Sequence, residues 1–138
     1  MALTSIVVGV DGSETSYRAL AMAVGLAVRE QGCVHGCFVA HVPATVALGG
    51  LFAPMPPIIG ADSDGQLARY VTEELARAEV RGDFTYRSGE IAAELEQLAE
   101  SCGADLVVVG RSAHPHLHLG GVPRQLLARG RRPVLVVP

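Results

Sequence analysis

The chain carries the stretch VVVGRSAHPHLHLGGVPR at residues 107–124. A β-branched apolar run ends at Gly110, two glycines follow at positions 120 and 121, and Pro123 suits the first turn of a helix. This order predicts a strand over residues 105–109, a loop over residues 110–121 and a short helix. Loops that join a strand to a helix in this way often hold a phosphate.

The same alternation of strand and helix extends over the rest of the chain. Apolar runs predict four more strands at residues 5–10, 34–42, 84–87 and 134–137. Helical spacing of apolar residues predicts three more helices, which begin near Glu14, after Asp62 or Ser63, and after a cap at Ser88. We expect a left-handed cap at Gly32 to end the first helix, and we expect the second and last helices to end near Gly82 and Gly130.

The predicted strands are mostly apolar along their whole length, which is typical of a parallel sheet covered on both faces. The fold class is therefore α/β, a single doubly wound five-stranded domain over residues 1–138. Ligands of such folds bind beyond the carboxyl ends of the strands, where the strand order reverses. The candidate loops are those after the first and fourth strands, at residues 11–13 and 110–121.

Composition excludes several classes of protein. The formal charge is −3, and the chain has three Phe, three Tyr and no Trp, so it lacks the basic footprint and stacking residues of a nucleic-acid binder. The first residues lack the pattern of a secretory signal, which predicts a cytoplasmic protein. Residues 39–61 carry no charged side chain, but their prolines and glycines favour a surface loop over a membrane span.

Three cysteines stand at positions 33, 37 and 102, an odd number without the spacing of metal ligands. Cys33 and Cys37 lie four residues apart near the start of a predicted strand, which is roughly 13 Å and too far for a disulfide. We expect all three to be buried thiols in a reducing compartment.

Each of the two candidate loops allows a functional and a structural interpretation. Backbone N–H groups at Gly120 and Gly121 could hold an anion, with Arg111 and Arg124 adding positive charge, or the glycines could only form tight turns. Asp11 could accept a hydrogen bond from a ribose hydroxyl or cap the helix that follows it. Local spacing alone leaves both alternatives open.

Three blocks of sequence, taken in order, resemble the universal stress protein family: VGVDGS at residues 8–13, ADLVVVG at 104–110 and PVLVV at 133–137. The resemblance covers nearly the whole chain. It implies a sheet in the order 3-2-1-4-5 and a homodimer paired through the last strand, Val134 to Val137. Some members of the family bind ATP and others do not.

The phosphate loop matches the family only in part. Nucleotide-binding members have the pattern Gly-x2-Gly-x9-Gly-Ser/Thr after the fourth strand, whereas here Gly110 and Gly120 match glycines, Ala113 replaces one, and the loop is three residues short. Gly121 replaces the hydroxyl residue, and Pro123 removes a backbone donor. A lost hydroxyl donor weakens phosphate binding by roughly 1.5–3 kcal/mol.

The adenosine half of the site matches better, because Asp11 fits the acidic position and Val42 fits the position whose backbone contacts adenine. We expect ATP or another adenine nucleotide, weakly bound or with fewer phosphates, and no metal beyond the accompanying Mg²⁺. The alternative is a nucleotide-independent protein that binds a partner protein through residues 43–60 or the histidine loop. The candidate binding residues are Gly9, Asp11, Gly12, Ser13, Val42, Gly110, Arg111, Gly120, Gly121, Val122 and Arg124.

Other reactive side chains have more ordinary explanations. His114, His116 and His118 share one side of an extended segment, but no Cys, Asp or Glu in the loop completes a zinc site. The basic cluster of Arg124, Arg129, Arg131 and Arg132 agrees with the preference of cations for a helix C-terminus. We find no nucleophile elbow and no P-loop lysine, so any ATP hydrolysis would be slow and incidental.

Overall fold

The computed structural model describes residues 5–42, 65–111 and 121–138. Strands and helices alternate along the chain. The strands are β1 (Ser5–Gly9), β2 (Cys33–His41), β3 (Arg81–Gly89), β4 (Leu106–Gly110) and β5 (Val134–Val137). The helices are α1 (Glu14–Glu30), α2 (Gln66–Arg77), α3 (Ile91–Ser101) and α4 (Val122–Arg129).

The five strands form one parallel sheet in the order β3-β2-β1-β4-β5. The predicted fold class and strand order are therefore confirmed. The central strand β1 is apolar at successive positions and does not alternate, because Ile6, Val7 and Val8 are all fully buried. Consecutive residues of this strand point to opposite faces, and both faces are covered.

Two hydrophobic cores lie on the two faces of the sheet. The first packs α1 and α2 against the sheet through residues such as Ile6, Leu20 and Val71. The second packs α3 and α4 against the other face and includes Leu95 and Leu126. Neighbouring residues of β1 contribute to different cores, which places helices on both faces as predicted.

The end of α1 corrects one predicted cap. Gln31, not Gly32, takes the left-handed conformation, with φ 56°, and its N–H donates to the carbonyl oxygen of Ala27. Gly32 N–H donates to the same oxygen at 2.9 Å and is buried. The chain makes its turn one residue early because β2 already begins at Cys33.

The predicted helix end near Gly82 is also wrong, because α2 ends at Arg77 and Gly82 lies in β3. A Cβ atom at Gly82 would lie only 2.0 Å from the carbonyl oxygen of Val34 on β2. The glycine is therefore required by the close approach of two strands rather than by a helix cap.

Ser88 does not cap the third helix, which corrects another prediction. Strand β3 continues through Ser88 because the pairing with β2 extends to the His41–Gly89 pair. The helix α3 starts two residues later, with Glu90 in the cap position and no side-chain cap. By contrast, Gly130 ends α4 in a left-handed conformation, as predicted, and Pro123 lies in its first turn.

Several predictions lie outside the described residues. They concern the stretch 43–60, the caps Asp62 and Ser63, Ala113, Gly120 and the three loop histidines. Within the three described ranges, every helix is too short or too polar to cross a bilayer.

Candidate functional site

A cleft of about 390 Å³ opens at the carboxyl ends of β1 and β4, where the strand order reverses. This is the position at which open α/β sheets bind ligands. The structure thus brings the loop after β1 and the start of α4 to one site. The predicted site residues that line the cleft are Gly9, Asp11, Ser13, Gly110, Arg111, Gly121 and Val122.

The loop after β1 shows that Asp11 does not cap α1. Ser13 is the residue that caps α1, because its hydroxyl oxygen accepts a hydrogen bond from Ser16 N–H at 3.3 Å. Asp11 instead closes the turn, since its Oδ1 accepts from Ser13 N–H at 2.9 Å. Between them Gly12 has a φ of 87°, which favours glycine. Oδ2 of Asp11 accepts no hydrogen bond from the described residues.

Gly110 has a structural role at the end of β4. A Cβ atom at this position would lie 2.6 Å from the backbone carbon and oxygen of Thr15, in the first turn of α1. The backbone of Arg111, the next residue, is fixed by two hydrogen bonds. Its carbonyl oxygen accepts from the Thr15 hydroxyl at 2.9 Å, and its N–H donates to the Val137 carbonyl oxygen at 2.8 Å. The Arg111 backbone N–H is therefore not available to a phosphate.

The start of α4 presents backbone donors to the cleft. Gly121 is the N-cap residue, and no side chain among the described residues caps this helix. The first N–H groups of a helix lack internal partners and lie at the positive end of its dipole. Pro123 contributes no donor, so the N–H group of Val122, which lines the cleft, is the one suited to an anion.

Of the predicted residues that the structure describes, three do not line the cleft: Gly12, Val42 and Arg124. The Val42 N–H donates to the Gly89 carbonyl oxygen at 3.1 Å, because the pairing of β2 and β3 continues past His41. This backbone donor is therefore not free to contact adenine. The Arg124 side chain is exposed on α4, outside the cleft.

Sequence reasoning missed the floor and one rim of the cleft. The floor is apolar and contains Cys37 and Val39 of β2, Leu95 of α3 and Val109 of β4, and the rim includes His41 and Glu90. The sequence could have indicated these residues, because β2 also ends at this edge of the sheet. Its last residues therefore lie beside the point where the strand order reverses. Gly9 leaves room for Leu95, because a Cβ atom there would lie 3.3 Å from Leu95 Cδ1.

Burial raises the pKa of the Cys37 thiol to about 11. The desolvated thiolate is disfavoured, so the group is a neutral thiol near pH 7. The floor of the cleft is thus uncharged, which suits the face of a flat aromatic base better than a charged group. The prediction of a buried thiol is confirmed for Cys37, whereas Cys33 and Cys102 are only partly buried.

Arg132 contacts the end of α3, whereas the sequence analysis assigned it to the end of the last helix. Its guanidinium donates to the carbonyl oxygens of Ala99 and Ala104 at 3.1 and 2.9 Å, at the end of α3. It also lies 3.5 Å from the carboxylate of Glu96. Arg129 alone occupies the last turn of α4. The basic cluster is therefore divided between two helix ends and does not line the cleft.

Comparison with known proteins identifies a family for this chain. A model of the universal stress protein family matches residues 3–138. A search of curated proteins found no match.

Solved structures share the fold at low sequence identity. A universal stress protein from Burkholderia pseudomallei is 23% identical, with a TM-score of 0.74 over 99% of this chain and 96% of that one. A universal stress protein solved in complex with cAMP gives the same identity and TM-score over 99% and 98% of the two chains. One from Archaeoglobus fulgidus in complex with dAMP is 20% identical, with a TM-score of 0.68 over the whole of both chains.

Proposed function

The chain belongs to the universal stress protein family, and we propose that its cleft binds an adenine nucleotide. One observation carries the proposal. The Asp11 carboxylate and the uncapped start of α4 line the same cleft, with an apolar floor that contains Cys37, Val39 and Leu95. These are the three chemical environments that a ribose, a phosphate and a purine base require.

Each part of the nucleotide has a proposed contact. Oδ2 of Asp11 accepts a hydrogen bond from a ribose hydroxyl, while Oδ1 stays with Ser13 N–H. The N–H group of Val122 binds one phosphate at the start of α4. The base packs on the apolar floor. The cAMP and dAMP complexes of similar proteins support this assignment.

The phosphate side of the cleft favours a monophosphate over a triphosphate. Gly121 offers no hydroxyl, Pro123 offers no N–H, and the Arg111 N–H is bonded to Val137. A β- or γ-phosphate would therefore find few donors among the described residues. We propose that AMP binds at least as tightly as ATP, with Mg²⁺ only as the companion of longer phosphates.

Replacing Asp11 with alanine is expected to weaken AMP binding about 10- to 100-fold, because a charged acceptor for the ribose is lost. Calorimetric titration of both proteins with AMP, ADP and ATP measures the effect. The matched control is Glu73→Ala, which removes an exposed carboxylate from α2 that does not line the cleft. No binding heat from the unmodified protein at millimolar nucleotide would contradict the proposal.

The alternative function, protein binding without a nucleotide, stays a prediction. It rests on residues 43–60 and the histidine loop, which lie outside the described residues. The same titration separates the two functions, because this alternative requires no response to nucleotide. We further propose that the protein acts in the cytoplasm.

We also propose that the protein forms a homodimer through β5. This strand lies at one edge of the sheet, where its outer backbone groups lack a neighbouring strand in the described fold. Val136 on β5 is 36% exposed, and Leu127 on the adjacent helix α4 is 60% exposed. A second copy of the chain would extend the sheet and cover both side chains.

Replacing Val136 with lysine is expected to shift the protein from dimer to monomer, because the substitution places a charge at the centre of the proposed interface. Sedimentation velocity measures the change. Val28→Lys is the control, since Val28 is 52% exposed and lies in the last turn of α1 rather than on β5 or α4. A dimer that survives Val136→Lys, or a monomeric unmodified protein, would argue against this interface.

A further inference from the structure

A second group of reactive side chains lies at the opposite end of the sheet from the cleft. Cys33 is the first residue of β2, and His35 follows on the same face of the strand. Asp83 on β3 is the register partner of His35. Because the strands are parallel, all three residues lie near the amino ends of β2 and β3, away from the nucleotide cleft.

The distances arrange these residues in series. His35 Nε2 lies 3.6 Å from Cys33 Sγ, and His35 Nδ1 lies 2.9 Å from Asp83 Oδ1. An ionised carboxylate can only accept, so Nδ1 carries the proton that it donates to Asp83. Nε2 of the neutral imidazole is then an acceptor directed at the Cys33 thiol. A nucleophile, a base and a group that orients the base thus follow one another.

We propose that Cys33 is a nucleophilic thiol, activated by His35 and oriented through Asp83, and that it undergoes exchange with anionic low-molecular-weight disulfides. The site is independent of nucleotide binding. It differs from Cys37, because Cys37 is fully buried and burial raises the pKa of its thiol to about 11.

The surroundings of Cys33 admit such a reagent. Cys33 is partly exposed, and the side chains of His35 and Asp83 are 19% and 59% exposed. Arg81 is the register partner of Cys33 on β3 and is exposed, so a cationic side chain is available on the same face of the sheet as the thiol. This charge favours a disulfide that carries carboxylates, such as glutathione disulfide.

Other titratable groups approach the same face from β1 and from the end of α3. Ser5, the register partner of Cys33 on β1, donates to Cys102 Sγ at 3.9 Å. The Asp105 carboxylate accepts from Ser5 N–H at 3.1 Å. Cys102 is therefore a second, partly buried thiol near this face, and it must be controlled in any measurement.

The exchange balances without an external oxidant or reductant. His35 Nε2 accepts the proton of Cys33, and the sulfur attacks one sulfur of the reagent. The S–S bond of the reagent breaks as the new S–S bond forms. The leaving thiolate takes the proton from the imidazolium. One protein thiol and one disulfide become one mixed disulfide and one free thiol.

The test follows the reaction of the native full chain with 5,5′-dithiobis(2-nitrobenzoic acid), an anionic disulfide, in the Cys102→Ser background at pH 7. We expect one thiol to react rapidly with this reagent, and we expect this fast reaction to be absent in Cys33→Ser. His35→Gln should slow this thiol at least about tenfold, because removal of a general base typically costs more than that. Asp83→Asn should slow it less.

A pH profile separates activation from a structural effect. As the pH is lowered, the reaction of the fast thiol with the reagent should slow less than the reaction of N-acetylcysteine does. His35→Gln should remove this difference between the two pH profiles. Incubation with glutathione disulfide followed by mass spectrometry should place the adduct on Cys33. A Cys33 that reacts no faster than N-acetylcysteine, or that is indifferent to His35→Gln in a variant with a native circular dichroism spectrum, would overturn the proposal.

Discussion

Replacing Arg132 with methionine is expected to lower the free energy of unfolding by about 3–5 kcal/mol. The reason lies in Glu96 on α3, which is 5% exposed. Neither oxygen of its carboxylate has a hydrogen-bond partner among the described residues, and Arg132 Nε at 3.5 Å is its compensating charge. Without the guanidinium, an isolated negative charge would remain buried. Urea denaturation of the two proteins measures the loss.

The same substitution removes three further contacts, one of which is the 3.1 Å ion pair between Arg132 Nη2 and Glu100 Oε2. One nitrogen of the guanidinium donates to the carbonyl oxygens of Ala99 and Ala104, where α3 ends. These carbonyls would lose their charge-assisted bonds, which adds to the cost. Arg131→Met is the matched control, since Arg131 is the neighbouring residue and is exposed. We expect it to change stability by less than about 0.5 kcal/mol.

A double variant distinguishes a buried charge from lost packing. Glu96→Leu combined with Arg132→Met replaces the pair by apolar side chains of similar size. Such replacements of buried ion pairs are often neutral or stabilising, so the double variant should recover the part of the stability that Arg132→Met loses through the buried charge of Glu96, but not the part lost with the carbonyl contacts. If Arg132→Met unfolded at the same urea concentration as the unmodified protein, the pair would have no role in stability.

Arg132 also shows where prediction from sequence ends. Its pairing joins residues 96 and 132, which are distant along the chain, so local spacing at the C-terminus could only suggest a helix-end preference. The sheet was predictable for the opposite reason. Each strand of the centre is buried on both faces, and this burial leaves an apolar run that is visible without any knowledge of its neighbours.

The glycines and the candidate site also divide into features that local sequence predicts and features that depend on contacts between distant residues. The rule for parallel sheets placed Asp11 and Gly121 at one edge from local signals alone. The role of Gly82 depends on its distance from Val34 in another strand, and that of Ser88 depends on the length of the β2–β3 pairing. The Cys33–His35–Asp83 group likewise required the strand register, since only its first two members are close in sequence.

Replacing Gly110 with alanine is expected to destabilise the fold by about 3 kcal/mol, the upper part of the usual range for overpacking. The added Cβ atom would lie 2.6 Å from backbone atoms of Thr15, and backbone cannot rotate aside as a side chain can. Helix α1 would have to move away from β4. That movement would also stretch the bond from the Thr15 hydroxyl to the Arg111 oxygen, 2.9 Å in the native fold.

The control for this prediction is the same substitution at Gly25, in the middle of α1. An alanine Cβ there meets no atom within 4 Å, and helix propensity favours alanine by roughly 0.5–1 kcal/mol. Gly25→Ala should therefore raise the urea midpoint, and Gly110→Ala should lower it. The opposite signs separate a steric effect from the general effect of glycine on the unfolded chain. A stabilising Gly110→Ala would show that α1 does not pack against the end of β4 as closely as 2.6 Å implies.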